Sequence, residues 1–220
     1  MNSSSYYIIY KPFGILSQFS GEADTLKLLY DFPETVYPVG RLDKDSEGLL
    51  LITDDKALNH RLLDPKYAHK RNYLVQVEGI PTPEALDKLE KGVLIQVDGK
   101  PYHTKPAKVR VLPEPPLLPE RTPPIRYRKN VPDTWLELEL YEGKNRQVRK
   151  MTAAVGFPTL RLVRWSIENL DISGFAVGET RQMNREAIYS TLNIPLIIHQ
   201  RIQLPEHKKS FRSTSVKRRK

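Results

Sequence analysis

The sequence predicts an α+β fold, a mixed and mainly antiparallel sheet with short flanking helices. Three observations carry this. Strand-patterned segments outnumber helical ones, and the helical ones are short and sharply bounded. Trp135 to Tyr141 alternates cleanly, with Leu136, Leu138 and Leu140 on one face and Trp135, Glu137, Glu139 and Tyr141 on the other, as a half-buried antiparallel strand does.

Taken in order, Tyr6 to Tyr10 is a first strand, turned by Lys11-Pro12-Phe13-Gly14 because proline fixes φ and glycine accepts positive φ. Thr25 to Tyr30 is a short helix and Val36 to Val39 a strand. The apolar run Gly48 to Ile52 is a buried strand. Asp55 caps a helix through Leu63, with Leu58, Leu62 and Leu63 as its apolar stripe and Pro65 as its stop. Tyr73 to Val77 is a strand entered through Lys70-Arg71. The helix from Pro83 to Lys91 has Thr82 as N-cap, proline at its first position and Gly92 at its end. Strands follow at Val93 to Val97 and Ala107 to Leu112.

Between Pro113 and Pro132 lie seven of the 18 prolines, together with Arg121, Arg126, Arg128 and Lys129, which predicts an extended loop. Two roles fit it, gripping RNA or serving as a stiff connection. Beyond the alternating strand, Asn145 caps a helix that runs through Val155 and closes at Gly156. Arg146, Arg149 and Lys150 share one face of it, opposite Val148, Met151 and Val155. Leu160 to Ile167 is a strand, and Asn184 to Leu192 a last amphipathic helix.

The chain has 220 residues, 39% of them hydrophobic, enough for one substantial core or two small lobes. Without cysteine, disulfide scaffolds and thiolate chemistry are excluded. No apolar run approaches the ~18 residues of a membrane span, and the N-terminus lacks the basic start of a signal peptide, so a soluble cytoplasmic protein is expected. The net charge is +9, but His207 to Lys220 holds seven Lys or Arg and no acid, leaving residues 1–206 with only +2. A basic, disordered tail at 207–220 is therefore expected, binding phosphates without reading sequence or simply solvating the chain.

The most informative stretch is Val39 to Asp55, V-G-R-L-D-K-D-S-E-G-L-L-L-I-T-D-D. It sets Asp43 on a turn held by a rigid buried strand, yet open to a substrate. The bland alternative is that Asp43, Asp45 and Ser46 only make turn hydrogen bonds. A second chemistry competes: Asp43, Asp45, Glu47, Gly48 and Asp54 fall in the pattern of a calcium loop. Against it, Leu49 to Ile52 reads as a strand where a helix is required, Leu51 offers no ligand oxygen, and Asp54 stands where a longer Glu is usual. No metal is expected.

Two further segments share a logic with Asp43. Tyr73 starts a strand and offers a ring for stacking and a phenol for proton transfer, unless it is only a strand aromatic. Arg149 can keep a carboxylate ionised and directed, unless it belongs to a solvated helix face.

In combination the motifs Lys11-Pro12-Phe13-Gly14, G-R-L-D-K-D-S-E-G-L-L-L-I-T-D-D, Lys70-Arg71-Asn72-Tyr73, E-G-K-N-R-Q-V-R-K-M with A-A-V-G after it, and L-R-L-V-R-W-S-I resemble the ordered motifs of bacterial ribosomal RNA pseudouridine synthases. They extend from residue 11 to residue 167. Within that family the chain looks like the small-subunit-type branch, in a form without the usual small N-terminal RNA-binding domain. It is most similar to the forms acting on 23S ribosomal RNA.

The resemblance implies a pseudouridine synthase fold with two sub-lobes around a catalytic cleft, formed by residues 1–206. It implies a cofactor-free isomerisation in which uridine is detached at its glycosidic nitrogen, rotated and rejoined through C5. Asp43 would be the nucleophile, Tyr73 would stack on the flipped base and assist proton transfer, and Arg149 would pair with Asp43. Leu162 would pack the far side of the base, with Arg41, Lys144, Arg146 and Lys150 as phosphate or nucleotide contacts. The expected partner is ribosomal RNA, 23S in particular, met by a monomer. The alternatives are the same chemistry on 16S RNA and a non-enzymatic ribosome-assembly protein, for which a carboxylate beside phosphates would only cost affinity.

Overall fold

The computed structural model describes residues 4–22, 24–125 and 131–196. The basic tail, and Arg126, Arg128 and Lys129 of the proline-rich loop, lie outside the described residues. Among the described residues eleven strands and four α-helices follow one another: β1 (Tyr6–Lys11), β2 (Tyr37–Pro38), β3 (Glu47–Thr53), α1 (Lys56–Leu63), β4 (Arg71–Glu78), α2 (Pro83–Lys91), β5 (Leu94–Val97), β6 (Lys100–His103), β7 (Lys108–Val111), β8 (Asp133–Leu140), α3 (Gln147–Ala154), β9 (Thr159–Ile167), β10 (Leu170–Asp171), β11 (Thr180–Met183) and α4 (Arg185–Thr191). Among the described residues no helix is long and apolar enough to cross a membrane.

The main sheet runs β11-β1-β3-β9-β4-β8-β7, while β5 and β6 form a separate hairpin. Every pairing in it is antiparallel except β3 with β9, which meet in parallel at Glu47↔Val163 and Gly48↔Arg164. The sheet is mixed and mainly antiparallel, as expected. That parallel junction joins two halves, each with its own main cluster, although the cluster beside α1 and α4 also takes in Leu74 of β4 and Trp135 of β8. One half buries Tyr6, Ile8, Leu49 and Leu51 against α1 and α4; the other buries Val75, Leu136, Leu138 and Leu140 against α2 and α3. A third cluster, with Leu50, Ile52 and Tyr7, fills the opposite face of β1 and β3. Because β3 is covered on both faces, it reads as the unbroken run Leu49 to Ile52 and not as an alternation.

Local chemistry explains most elements. Asp55 accepts from Ala57 N and Leu58 N at 3.0 Å and starts α1, while Thr82 caps α2 and Asn184 caps α4. On the outer face of β8, Glu137 and Glu139 meet Arg110 and Lys108 of β7 as cross-strand partners.

Some expectations need correction. Trp135 shares the outer side of β8 in sequence but is buried in the first core. Thr25 to Tyr30 yields only a 3₁₀ turn at Leu26–Leu28. Asn145 does not cap α3: the helix starts at Gln147, after Arg146 in a left-handed conformation (φ 52) with no side-chain cap. Gln147 secures that end itself, accepting from Lys144 N at 2.9 Å and donating to Glu142 Oε1 at 2.7 Å. The strands β6, β10 and β11 were not expected.

The proline-rich loop, as far as Ile125, is a docked connection. Leu112 and Leu118 pack on the first core, Pro119 O accepts from Arg161 at 2.9 Å, and Arg121 lies over the Phe13 ring at 4.3 Å.

Candidate active site

Asp43 sits on the turn that leads into β3, and the turn is fixed from several sides. Gly14 N donates to Lys44 O at 2.8 Å, Ser17 bonds both the N–H and the carbonyl of Leu42, and Ser46 N closes on Asp43 O at 3.0 Å. Beneath it Lys11 is buried, its ammonium donating to Pro12 O at 2.8 Å and Ile15 O at 2.7 Å. Burial pulls the Lys11 pKa down to about 8, against the opposing pull of Glu47, Asp43 and Asp45. The K-P-F-G turn is thus the footing of the Asp43 turn.

Gly48 is where β3 meets β9. At its φ of +108, a Cβ would stand 2.3 Å from Arg164 O, so only glycine permits this approach. One residue earlier, Glu47 is buried and receives Arg161 at 2.9 and 2.7 Å through both of its oxygens. This geometry is unlike that of a calcium loop, since Glu47 is a strand residue engaged by a guanidinium. Among the described residues no group of His, Cys, Asp or Glu is disposed to hold a metal.

A cavity of about 600 Å³ opens at the junction. Asp43, Arg41, Tyr73, Lys144, Arg146, Leu162 and Arg164 all line it. Tyr73 and Leu162 are buried and belong to its apolar part, with Leu42, Leu140 and Val148, while Arg41 and Arg146 are exposed. Lys144 stands 4.8 Å above the Tyr102 ring. Lys150 does not line the cavity; its ammonium bonds Asn145 Oδ1 at 3.3 Å on the outside of α3.

Arg149 departs from its expected pairing. Its Nη2 donates to Asp45 O at 2.6 Å, its Nη1 to Thr159 O at 3.3 Å, and its Nε lies 3.3 Å from Asp45 Oδ2. The side chain that approaches Asp43 is Arg146, at 3.6 Å, while its fork grips Asp45 at 2.9 and 2.8 Å. Helical spacing does put both arginines on one side of the helix end. Since Arg146 is the residue before the helix, in a left-handed conformation, its reach differs from that of a residue within the helix. The Arg146 fork, with Arg149 added, holds the Asp45 carboxyl below the usual range, and Asp45 raises Arg146 in return. Desolvation lowers Arg149, and Asp45 opposes this.

Two residues of the site, Asp45 and Arg164, are not singled out as site residues by the sequence. Asp45 had only the calcium pattern and turn chemistry to recommend it. Arg164 was one residue of a motif, although its alternation with Leu162 along one strand was a usable signal.

A buried aromatic and aliphatic floor, one carboxylate on a braced turn and a rim of cations are the parts of an enzyme that works on a single extruded base of a nucleic acid. Residues 5–154 match the family model described as RNA pseudouridylate synthase, and the chain belongs to that family, isomerases that convert uridine to pseudouridine. It is 52% identical over 172 residues to ribosomal large subunit pseudouridine synthase E of Xanthomonas axonopodis pv. citri (strain 306), covering 77% of this chain and 88% of the relative. The enzyme of the same name from Vibrio parahaemolyticus is 46% identical over 178 residues, 80% of this chain and 72% of that one. A crystal structure of a pseudouridylate synthase superimposes with a TM-score of 0.71 at 27% identity, over 87% of this chain and 75% of the other.

Proposed function

We propose that this chain isomerises one specific uridine of large-subunit (23S) ribosomal RNA, with Asp43 as nucleophile and without a cofactor. The observation that carries the reading is the placement of Asp43. It is the carboxylate of the braced turn that faces the 600 Å³ cavity, with Tyr73 and Leu162 in the same wall and Arg146 at 3.6 Å. The names of the relatives at 52% and 46% identity support the large subunit as the source of the RNA.

In this reading the target uridine leaves its helix and enters between Tyr73 and Leu162. Arg41, Lys144 and Arg146 meet the surrounding phosphates at the rim. Asp43 acts on the sugar or the base as the glycosidic bond opens, and Tyr73 assists transfer of the C5 proton. Arg149 serves by fixing Asp45, and through it the turn that carries Asp43. Lys150, outside the cavity, is left as a peripheral phosphate contact. The protein acts as a cytoplasmic monomer whose residues 1–206 form one catalytic unit, with the basic tail adding sequence-independent RNA affinity.

The test is D43N together with mapping of pseudouridine in ribosomal RNA from cells with and without the gene. D43N is expected to fold and bind RNA but to form no pseudouridine; product from D43N would sink the assignment. One pseudouridine is expected to vanish from 23S RNA in the deleted strain, and loss of a 16S site would move the substrate to the small subunit.

A further inference from the structure

We propose that Arg164 is a catalytic residue of this site, its guanidinium holding the uracil anion that is set free when the glycosidic bond breaks. The inference deepens the reading of the chain as a uridine isomerase and rests on it.

Arg164 is the cross-strand partner of Tyr73 in the β4–β9 ladder and lies two residues beyond Leu162, so all three share one face of the sheet. All three line the cavity. The arginine is only 5% exposed. Its Nε is fixed by Leu49 O at 2.8 Å, which orients the planar group, while its Nη2 is buried without a partner.

The charge balance sets it apart. Arg161, one strand face away, is matched by Glu47, and Arg149 has Asp45. Among the described residues no carboxylate pairs with Arg164. The charge that acts on it is the like charge of Arg71, and the Tyr73 phenol is its favourable neighbour. Burial accordingly lowers the pKa of the group. An interior cation without a counter-ion is costly, and one that lines a cavity is placed to receive an anionic ligand.

The reaction supplies one. When C1′–N1 breaks heterolytically, the bonding pair stays on the base and spreads from N1 over O2 and O4. C1′ is left electron-deficient and is met by Asp43, whether through an oxygen–C1′ bond or by loss of the 2′ proton to the carboxylate. After the base turns, C5 gives an electron pair to C1′ and forms the new bond, as the Asp43 oxygen–C1′ bond breaks in the first case or as the Asp43 carboxyl returns its proton to C2′ in the second. The C5 proton then leaves to a base and N1 gains one, so the net change is an isomerisation with no co-reactant. Uracil in the bound substrate is neutral. A fixed guanidinium therefore favours the departing anion over the substrate, which is the condition for speeding the step.

The test compares wild type with R164M in single turnover, on RNA carrying either uridine or 5-fluorouridine at the target. Fluorine withdraws electrons and makes the base a better anion, so it replaces part of what the guanidinium provides. R164M is expected to bind uridine RNA as wild type does but to consume it about 10²–10³-fold more slowly. Its loss on 5-fluorouridine RNA is expected to be at least about tenfold smaller. Equal losses on both RNAs, or a uridine rate within about threefold of wild type, would overturn the proposal. Should R164M fail to fold, R164K carries the same comparison: a smaller loss on 5-fluorouridine supports the role, and equal losses reject it. If wild type itself makes no pseudouridine from the uridine RNA, the functional reading fails first and separately.

Discussion

Arg149 reaches the backbone of Asp45, Nη2 to carbonyl oxygen at 2.6 Å, and stands with its Nε 3.3 Å from the same residue's carboxylate. Asp43, two residues earlier, is approached by Arg146. Both arginines hold Asp45, and of the two it is Arg146 that also approaches Asp43 and lines the cavity. Replacing Arg149 should act through position and not through RNA affinity. R149M is expected to lower the single-turnover rate about 10²-fold, the usual cost of a misplacement near 1 Å, with RNA binding little changed. Stopped reactions paired with anisotropy binding check this, and a selective loss of binding would reject it.

Lys11 makes a pH-dependent stability expected. It is a base whose pKa in the fold, about 8, lies below its ordinary 10.5. Below pH 8 both states carry the charge and the folded one bears the desolvation. Between about 8 and 10.5 the unfolded chain holds the proton that the folded chain has released, so stability rises with pH across that window. Relative to K11M, wild type should gain about 2 kcal/mol between pH 7 and pH 9.5, read from urea melts. No relative gain would show that Lys11 keeps its charge when buried.

Gly48 has no tolerable substitute. In G48A the added Cβ meets Arg164 O at 2.3 Å and Arg164 N at 2.7 Å, backbone atoms in a junction of two residue pairs. Destabilisation of about 3 kcal/mol or more is expected, with loss of activity in whatever folds, because Asp43 and Arg164 both hang on this crossing. Thermal melts would settle it, and a fall of only one or two degrees would contradict the geometry.

Much of this was legible from the residues alone. The bounds of α2 follow from Thr82, Pro83 and Gly92, and the unbroken run Leu49 to Ile52 announces a strand covered on both faces. What escaped has physical causes. The hairpin of β5 and β6 turns through Asp98 and Gly99, both at positive φ, an Asp-Gly signal masked by the proline and charges of Lys100-Pro101. The strand β11, Thr-Arg-Gln-Met, carries no pattern of its own and exists because the edge of β1 accepts it. Within the site, Asp43 and Tyr73 stood out by type and place. The choice between Asp43 and Asp45 as the partner of Arg149 could not be read from spacing, since the two carboxylates lie two residues apart on one turn.

The path from Leu112 to Arg121 sets a design rule. Surface loops usually absorb added residues at little cost. Here the span is moored at both ends and in the middle, by Leu112 N on Trp135 O, by Pro119 on Arg161, and by Arg121 on Phe13 of the K-P-F-G turn. Its length is thus a gauge between β7 and the footing of the Asp43 turn. An affinity tag or reporter spliced into it would shift the register of the Asp43 turn, a penalty that nothing in its proline-rich, low-complexity composition foretells.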